Sequence, residues 1–89
     1  MGRAEKALLR LISGRSDRNF RFADLQAILA RLGFSCRIRG DHFIFSHPAI
    51  EEIINLQPVG SLAKPYQIKQ VRGILMKSGM AGEGGDVQV

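Results

Sequence analysis

The chain has 89 residues, 45% of them hydrophobic and 24% charged, with thirteen Lys and Arg against eight Asp and Glu for a net charge of +5. That length allows one small domain with a modest core, and the composition excludes a low-complexity or membrane-spanning chain. A single cysteine, Cys36, excludes an internal disulfide; with no secretory-type apolar core near the N-terminus, a reducing, cytoplasmic setting is expected.

The first predicted element is a short helix from Ala4 to Ser13, with Ala4, Ala7, Leu8, Leu11 and Ile12 near one face and Gly14 as its stop. Residues 15–19 read as a polar connector. A second helix is predicted from Phe22 to Leu32, with a stripe of Phe22, Leu25, Ile28, Leu29 and Leu32, Asp24 in the first turn and Gly33 just past the end. No side chain before Phe22 is a convincing N-cap.

A tight hairpin follows. Two alternating segments, Phe34 to Arg39 and His42 to His47, flank Gly40-Asp41, and glycine first suits a type II′ turn. Direct pairing sets Arg39 opposite His42, Ile38 opposite Phe43 and Arg37 opposite Ile44. Alternation then puts Phe34, Cys36, Ile38, Phe43 and Phe45 on a core face, and Ser35, Arg37, Arg39, His42 and Ser46 on the other. Pro48 breaks the second strand. A third strand is predicted from Glu51 to Gln57, with Ile54 and Leu56 inward and Ile53, Asn55 and Gln57 on the open face beside His42. The last helix begins at Pro65 and ends before Gly79, burying Ile68, Val71, Ile74 and Leu75. Gly73 inside it costs about 1 kcal/mol relative to alanine, which close packing or a partner's approach would explain.

The order is α-α-β-β-β-α, which predicts an α+β fold: a three-stranded antiparallel sheet with helices packed on one face and the other face open. One domain spans residues 1–80, with its core over about 22–80 and the extra helix over about 4–13; residues 81–89, glycine-rich and acidic, read as a flexible tail. Charge is uneven. Residues 1–40 carry nine Arg or Lys against three acids, and residues 41–89 four against five, which favours an anionic partner such as nucleic acid or an acidic protein.

Leu32-Gly33-Phe34, then Arg37 to Phe45, then Ile53-Ile54-Asn55-Leu56-Gln57-Pro58, then Lys64-Pro65 through Ile74-Leu75 to Gly79 resemble the HicA toxins. The likeness covers roughly Phe22 to Met80, about two thirds of the chain. It implies a fold like double-stranded-RNA-binding domains, here preceded by an extra N-terminal helix. It also implies an mRNA interferase, needing no cofactor, neutralised by a HicB-type antitoxin. The family's hairpin usually reads G-S-H-H-x-F; here it is Gly40-Asp41-His42-Phe43-Ile44-Phe45, and Gln57-Pro58 stands where many members have His-Pro. The hairpin geometry puts position 42 on the open face and 43 in the core, so the catalytic imidazole is assigned to His42.

The chemistry needs little. RNA brings its own nucleophile, the 2′-hydroxyl, and an imidazole can take or give a proton near neutral pH. Arg37 and Arg39 are placed to stabilise charge on the scissile phosphate. Asp41 either supports the imidazole or repels phosphate, and the residues leave both open. Lys64, Tyr66, Lys69 and Arg72 near the start of the last helix are candidate RNA or phosphate contacts, each with an ordinary solvated-surface reading beside it. Asn55 and Gln57 are accessory candidates. His47 reads as structural or surface, and two histidines without further cysteines or spaced acids make no metal set. Two other functions fit the residues: a non-catalytic RNA-binding module, and an inactive relative that keeps antitoxin binding.

Overall fold

The computed structural model describes residues 2–80, so the expected tail at 81–89 lies outside the described residues. Helix α1 spans Arg3–Ser13, α2 Phe22–Arg31 and α3 Pro65–Lys77; the strands are β1 Ser35–Arg39, β2 His42–His47 and β3 Ile50–Leu56. The strands form one antiparallel sheet in the order β1-β2-β3. The α+β architecture expected from the pattern is the one observed, and no helix among the described residues is long and apolar enough to cross a membrane.

The helices form where apolar residues recur on one side. α1 buries Ala7, Leu8 and Leu11, and Gly14 at φ +72° ends it by returning its N–H to the Leu11 carbonyl. α2 buries Phe22, Leu25, Ile28 and Leu29. Its start has no side-chain cap. Instead the Phe22 N–H donates to the Ser61 carbonyl and the Ala63 N–H to the Phe20 carbonyl, so two short segments pair and close the helix entrance. Phe20 between them is fully buried, with the Arg10 guanidinium 4.7 Å above its ring. α3 buries Ile68, Val71 and Leu75 against Ile54 and Leu56 of the sheet, all in one core.

The hairpin register is the expected one: Arg39 pairs with His42, Ile38 with Phe43, and Arg37 with Ile44. Gly40 has φ +64° and Asp41 has no positive φ, the combination a type II′ turn uses. Two expected core positions are corrected. Cys36 is exposed, and so is Ile38 at 61%, although both lie on the same face as buried Phe45. β1 is one of the two edge strands and pairs with β2; unlike β3, whose Ile50, Ile54 and Leu56 are buried, it is exposed along its whole length. Gly73 is a further correction: it is exposed, and a Cβ there would meet nothing within 4 Å, so close packing does not explain it.

Ion pairs join the N-terminal helix to the rest. Asp24 at the start of α2 accepts hydrogen bonds from Arg3 (2.9 Å) and Arg10 (3.2 Å) of α1, and Arg31 pairs with Glu5. Arg72 of α3 donates to both oxygens of Asp17, at 3.0 and 2.9 Å, and to the Leu11 carbonyl at 2.9 Å. The Arg72 hydrogen bonds hold the Asp17 carboxyl below its ordinary range against the opposing effect of burial, and Asp17 raises Arg72 in turn. Burial pushes the Asp24 carboxyl up, but the bonds from Arg3 and Arg10 outweigh it and leave it lowered.

Both aspartates are therefore depressed in the folded state. The stability they contribute is present above about pH 4, the unfolded value, and is lost as pH falls through their lower folded values. Asp17→Asn removes the charge partner of a mostly buried guanidinium. We expect it to cost about 2–3 kcal/mol in urea unfolding at pH 7, and to flatten the fall in stability below pH 4; equal acid sensitivity in both proteins would assign that fall elsewhere. Gly73→Ala should raise stability by about 0.5–1 kcal/mol, because the helix gains propensity and nothing obstructs the new methyl. A lower melting temperature would refute that account.

Candidate active site on the open sheet face

Alternation along three strands decides what faces outward. Phe45, Ile54 and Leu56 point into the core, so His42, Ile44, Ser46, Ile53 and Asn55 point away from it, with Ser35, Arg37 and Arg39 beside them on β1. Among the described residues no helix covers this side.

At the hairpin end of this face the structure brings four expected residues together. His42 Nδ1 lies 3.0 Å from Asn55 Oδ1. A carbonyl oxygen only accepts, so Nδ1 carries the proton and Nε2 keeps its lone pair in the neutral ring. Asp41 Oδ1 stands 3.7 Å from that Nε2. The other carboxylate oxygen, Oδ2, accepts from Gln57 Nε2 at 2.6 Å. Gln57 is itself tethered: its backbone N–H points to Oε1 of buried Gln67 on α3, at 3.4 Å. Asn55 of β3 thus bonds the exposed imidazole, and Asp41 of the turn, tied to Gln57, stands beside it.

The reason for this convergence is register. Phe43 pairs with Leu56 and Ile44 with Asn55, so Asn55 sits diagonal to His42, and Gln57, the residue just past β3, comes level with His42 next to the turn. Arg39 is the direct cross-strand partner of His42, and Arg37 is the next outward residue on the same strand. Among the described residues neither arginine makes an ion pair or side-chain hydrogen bond, so both are available to an anion.

The α3 candidates divide. Lys64 is half-buried at the start of the helix, while Lys69 and Tyr66 (62% exposed) follow in its first two turns. They lie in the helical layer, and no hydrogen bond or ion pair among the described residues links them to His42. Arg72 is corrected outright as a phosphate contact. Its side chain is only 18% exposed and its donors are engaged by Asp17 and Leu11. Sequence reading missed Asp17 because it had labelled residues 15–19 a mere connector; an acid among so many arginines was the available signal.

His47 is structural. Its Nε2 lies 3.1 Å from the Leu32 carbonyl, its Nδ1 accepts from the Ala49 N–H at 3.0 Å, and its ring lies 5.0 Å from that of Phe34. Gly33, at φ +96°, is required twice here: a Cβ would be strained and would stand 3.3 Å from His47 Nε2. Among the described residues no three His, Cys, Asp or Glu side chains come together as a metal site.

Beyond His42 the open face sinks into a depression of about 400 Å³ lined by Ser35, Cys36, Arg37, Ile44, Ser46 and Ile53. Compared with protein-family models, with curated proteins and with solved structures, the chain matches none.

The hydrogen-bond partners predict opposite tautomers for the two imidazoles, His42 protonated on Nδ1 and His47 on Nε2. Long-range nitrogen–proton NMR spectra of the neutral rings should show that difference, and Asn55→Ala should release the His42 preference while leaving His47 unchanged. A His42 ring protonated on Nε2 in the parent protein would overturn the arrangement.

Proposed function

We propose that the protein is an endoribonuclease cleaving single-stranded mRNA by transesterification, with His42 as its proton acceptor. In this reading it is the toxin of a type II toxin–antitoxin system, like the HicA proteins its sequence resembles, working in the cytoplasm and neutralised by a HicB-type antitoxin. One observation carries the reading: an exposed imidazole whose Nδ1 is fixed by Asn55 and whose Nε2 stands beside a carboxylate, on a strand whose outward neighbours on β1 are the unpaired Arg39 and Arg37.

The chemistry follows from that geometry. Nε2 of His42 takes the proton of a ribose 2′-hydroxyl; the 2′-oxygen bonds to the adjacent phosphorus and the bond from phosphorus to the 5′-oxygen breaks. The products are a 2′,3′-cyclic phosphate and a 5′-hydroxyl, whose proton comes from solvent water. Asn55 keeps the ring oriented with its lone pair outward. Asp41 stabilises the imidazolium formed during attack and, being tied back by Gln57, is kept from swinging toward the phosphate. Arg39 and Arg37 offset the charge that gathers on the phosphoryl oxygens. Lys64, Lys69 and Tyr66 extend the grip on flanking nucleotides, without Arg72.

The altered hairpin motif is compatible with this assignment. Phe43 is half-buried and meets the Phe22 ring edge-on, with centroids 4.9 Å apart, so position 43 faces the helices rather than a substrate. His42 occupies the outward position.

Purified protein should cleave a labelled single-stranded RNA equally well with and without chelator, and should fail on a strand with 2′-deoxyribose at the scissile position. His42→Ala should lose about 10²–10⁴-fold in rate while unfolding at the parent's denaturant midpoint. Retained cleavage in that variant would remove His42 from the role. Tight, strongly salt-dependent RNA binding without cleavage would replace the nuclease by an RNA-binding module.

A further inference from the structure

The depression beside His42 has a composition that a phosphate site alone does not explain. Its floor is aliphatic: Ile44 is half-buried, and Ile53 is 57% exposed on a face whose other members are polar or charged. Its rim carries the hydroxyls of Ser35 and Ser46, which are cross-strand partners, and the unpaired guanidinium of Arg37. His42, Ile44 and Ser46 are alternate residues of β2 on one face, so the reactive imidazole, the apolar floor and the hydroxyl rim follow one another at intervals of about 7 Å. A volume of about 400 Å³ lies within the range of small-ligand clefts.

We propose that this depression is a base-binding subsite: one unstacked nucleobase of a single-stranded RNA lies flat on Ile44 and Ile53, its polar edge meets Ser35 or Ser46, and Arg37 holds the adjoining phosphate. The inference deepens the ribonuclease reading and rests on it for the polarity of the strand along β2. The chemistry selects the ligand. An intact duplex hides its base faces by stacking and presents only phosphates and 2′-hydroxyls across its grooves, so it has nothing to lay on two isoleucines. An unpaired strand exposes apolar base faces and charged phosphates in alternation, which is the order of Ile44 and Ile53 beside Arg37. The floor contains no aromatic ring, so base identity is read at the edge by hydroxyls rather than by stacking strength. The subsite therefore makes the enzyme selective for single strands and sets its preference at one position next to the cut.

The test uses the described protein with its isoleucine methyl groups labelled and a short single-stranded RNA carrying one 2′-deoxyribose to prevent cleavage. On titration, the Ile44 and Ile53 methyl signals should move while Ile38, which is equally exposed but lies on the opposite face, stays still. In a parallel kinetic assay with all-RNA substrate, Ile53→Asn should raise KM about tenfold with kcat within about twofold, whereas His42→Ala should lower kcat. Cleavage with unmoved Ile44 and Ile53 methyls and an unchanged KM would overturn the subsite and leave the nuclease standing. Moved methyls without cleavage would keep the subsite and overturn the nuclease. Equal shifts on Ile38, or shifts produced as strongly by duplex RNA, would also overturn it.

Discussion

The turn at Gly40-Asp41 is the constraint on which the open face depends. With only two residues in the loop, and glycine at φ +64° supplying the left-handed step, β1 and β2 can pair in a single register. That register sends Phe43 and Phe45 inward and His42, Ile44 and Ser46 outward. Because side chains alternate strictly, a slip of one residue would bury the imidazole and present two phenylalanines to water. The cost of that exchange is what holds the site in place. Asp41 takes part on both counts, since a residue of the turn is also the carboxylate beside Nε2.

The cations serve two separate purposes. Arg3, Arg10, Arg31 and Arg72 are paired with Asp24, Glu5 and Asp17, and these pairs dock α1 onto α2 and clamp α3 to the connector. The mostly buried Arg72–Asp17 pair contributes most of this, because the arginines of the other pairs are exposed to solvent and screened. Arg37, Arg39 and Lys69 make no such pairs among the described residues and stand at the surface. The number of arginines thus overstates how many are free to meet a ligand, because four of them are already paired with acids.

Much of the fold was legible because its signals were local. Periodicity, Gly14, Gly33, Pro65 and the Gly-Asp turn placed the helices and the hairpin to within a residue or so. The shared face of His42, Asn55 and Gln57 was legible for the same reason, since strand alternation is enough to gather them. What escaped was long-range. Arg72 finds Asp17 across fifty-five positions, and Phe20 is buried only because a distant segment, Ser61 to Ala63, pairs with its backbone. No pattern within a single element carries that information. Cys36 and Ile38 show the complementary failure: alternation gave their face correctly, but burial also requires something to lie on that face, and at the β1 edge nothing among the described residues does.

That uncovered edge has its own consequence. β1 offers unpaired backbone groups along five exposed residues, the arrangement from which sheets grow between molecules. Two copies joined antiparallel about Arg37 would set guanidinium against guanidinium, and joined about Ile38 would set Arg37 against Arg39. Like charges at cross-strand distance oppose both unions. The arginines that leave the open face ready for an anion are therefore also what keeps this strand from recruiting its own kind, and a bound acidic molecule, by neutralising them, would lift that protection.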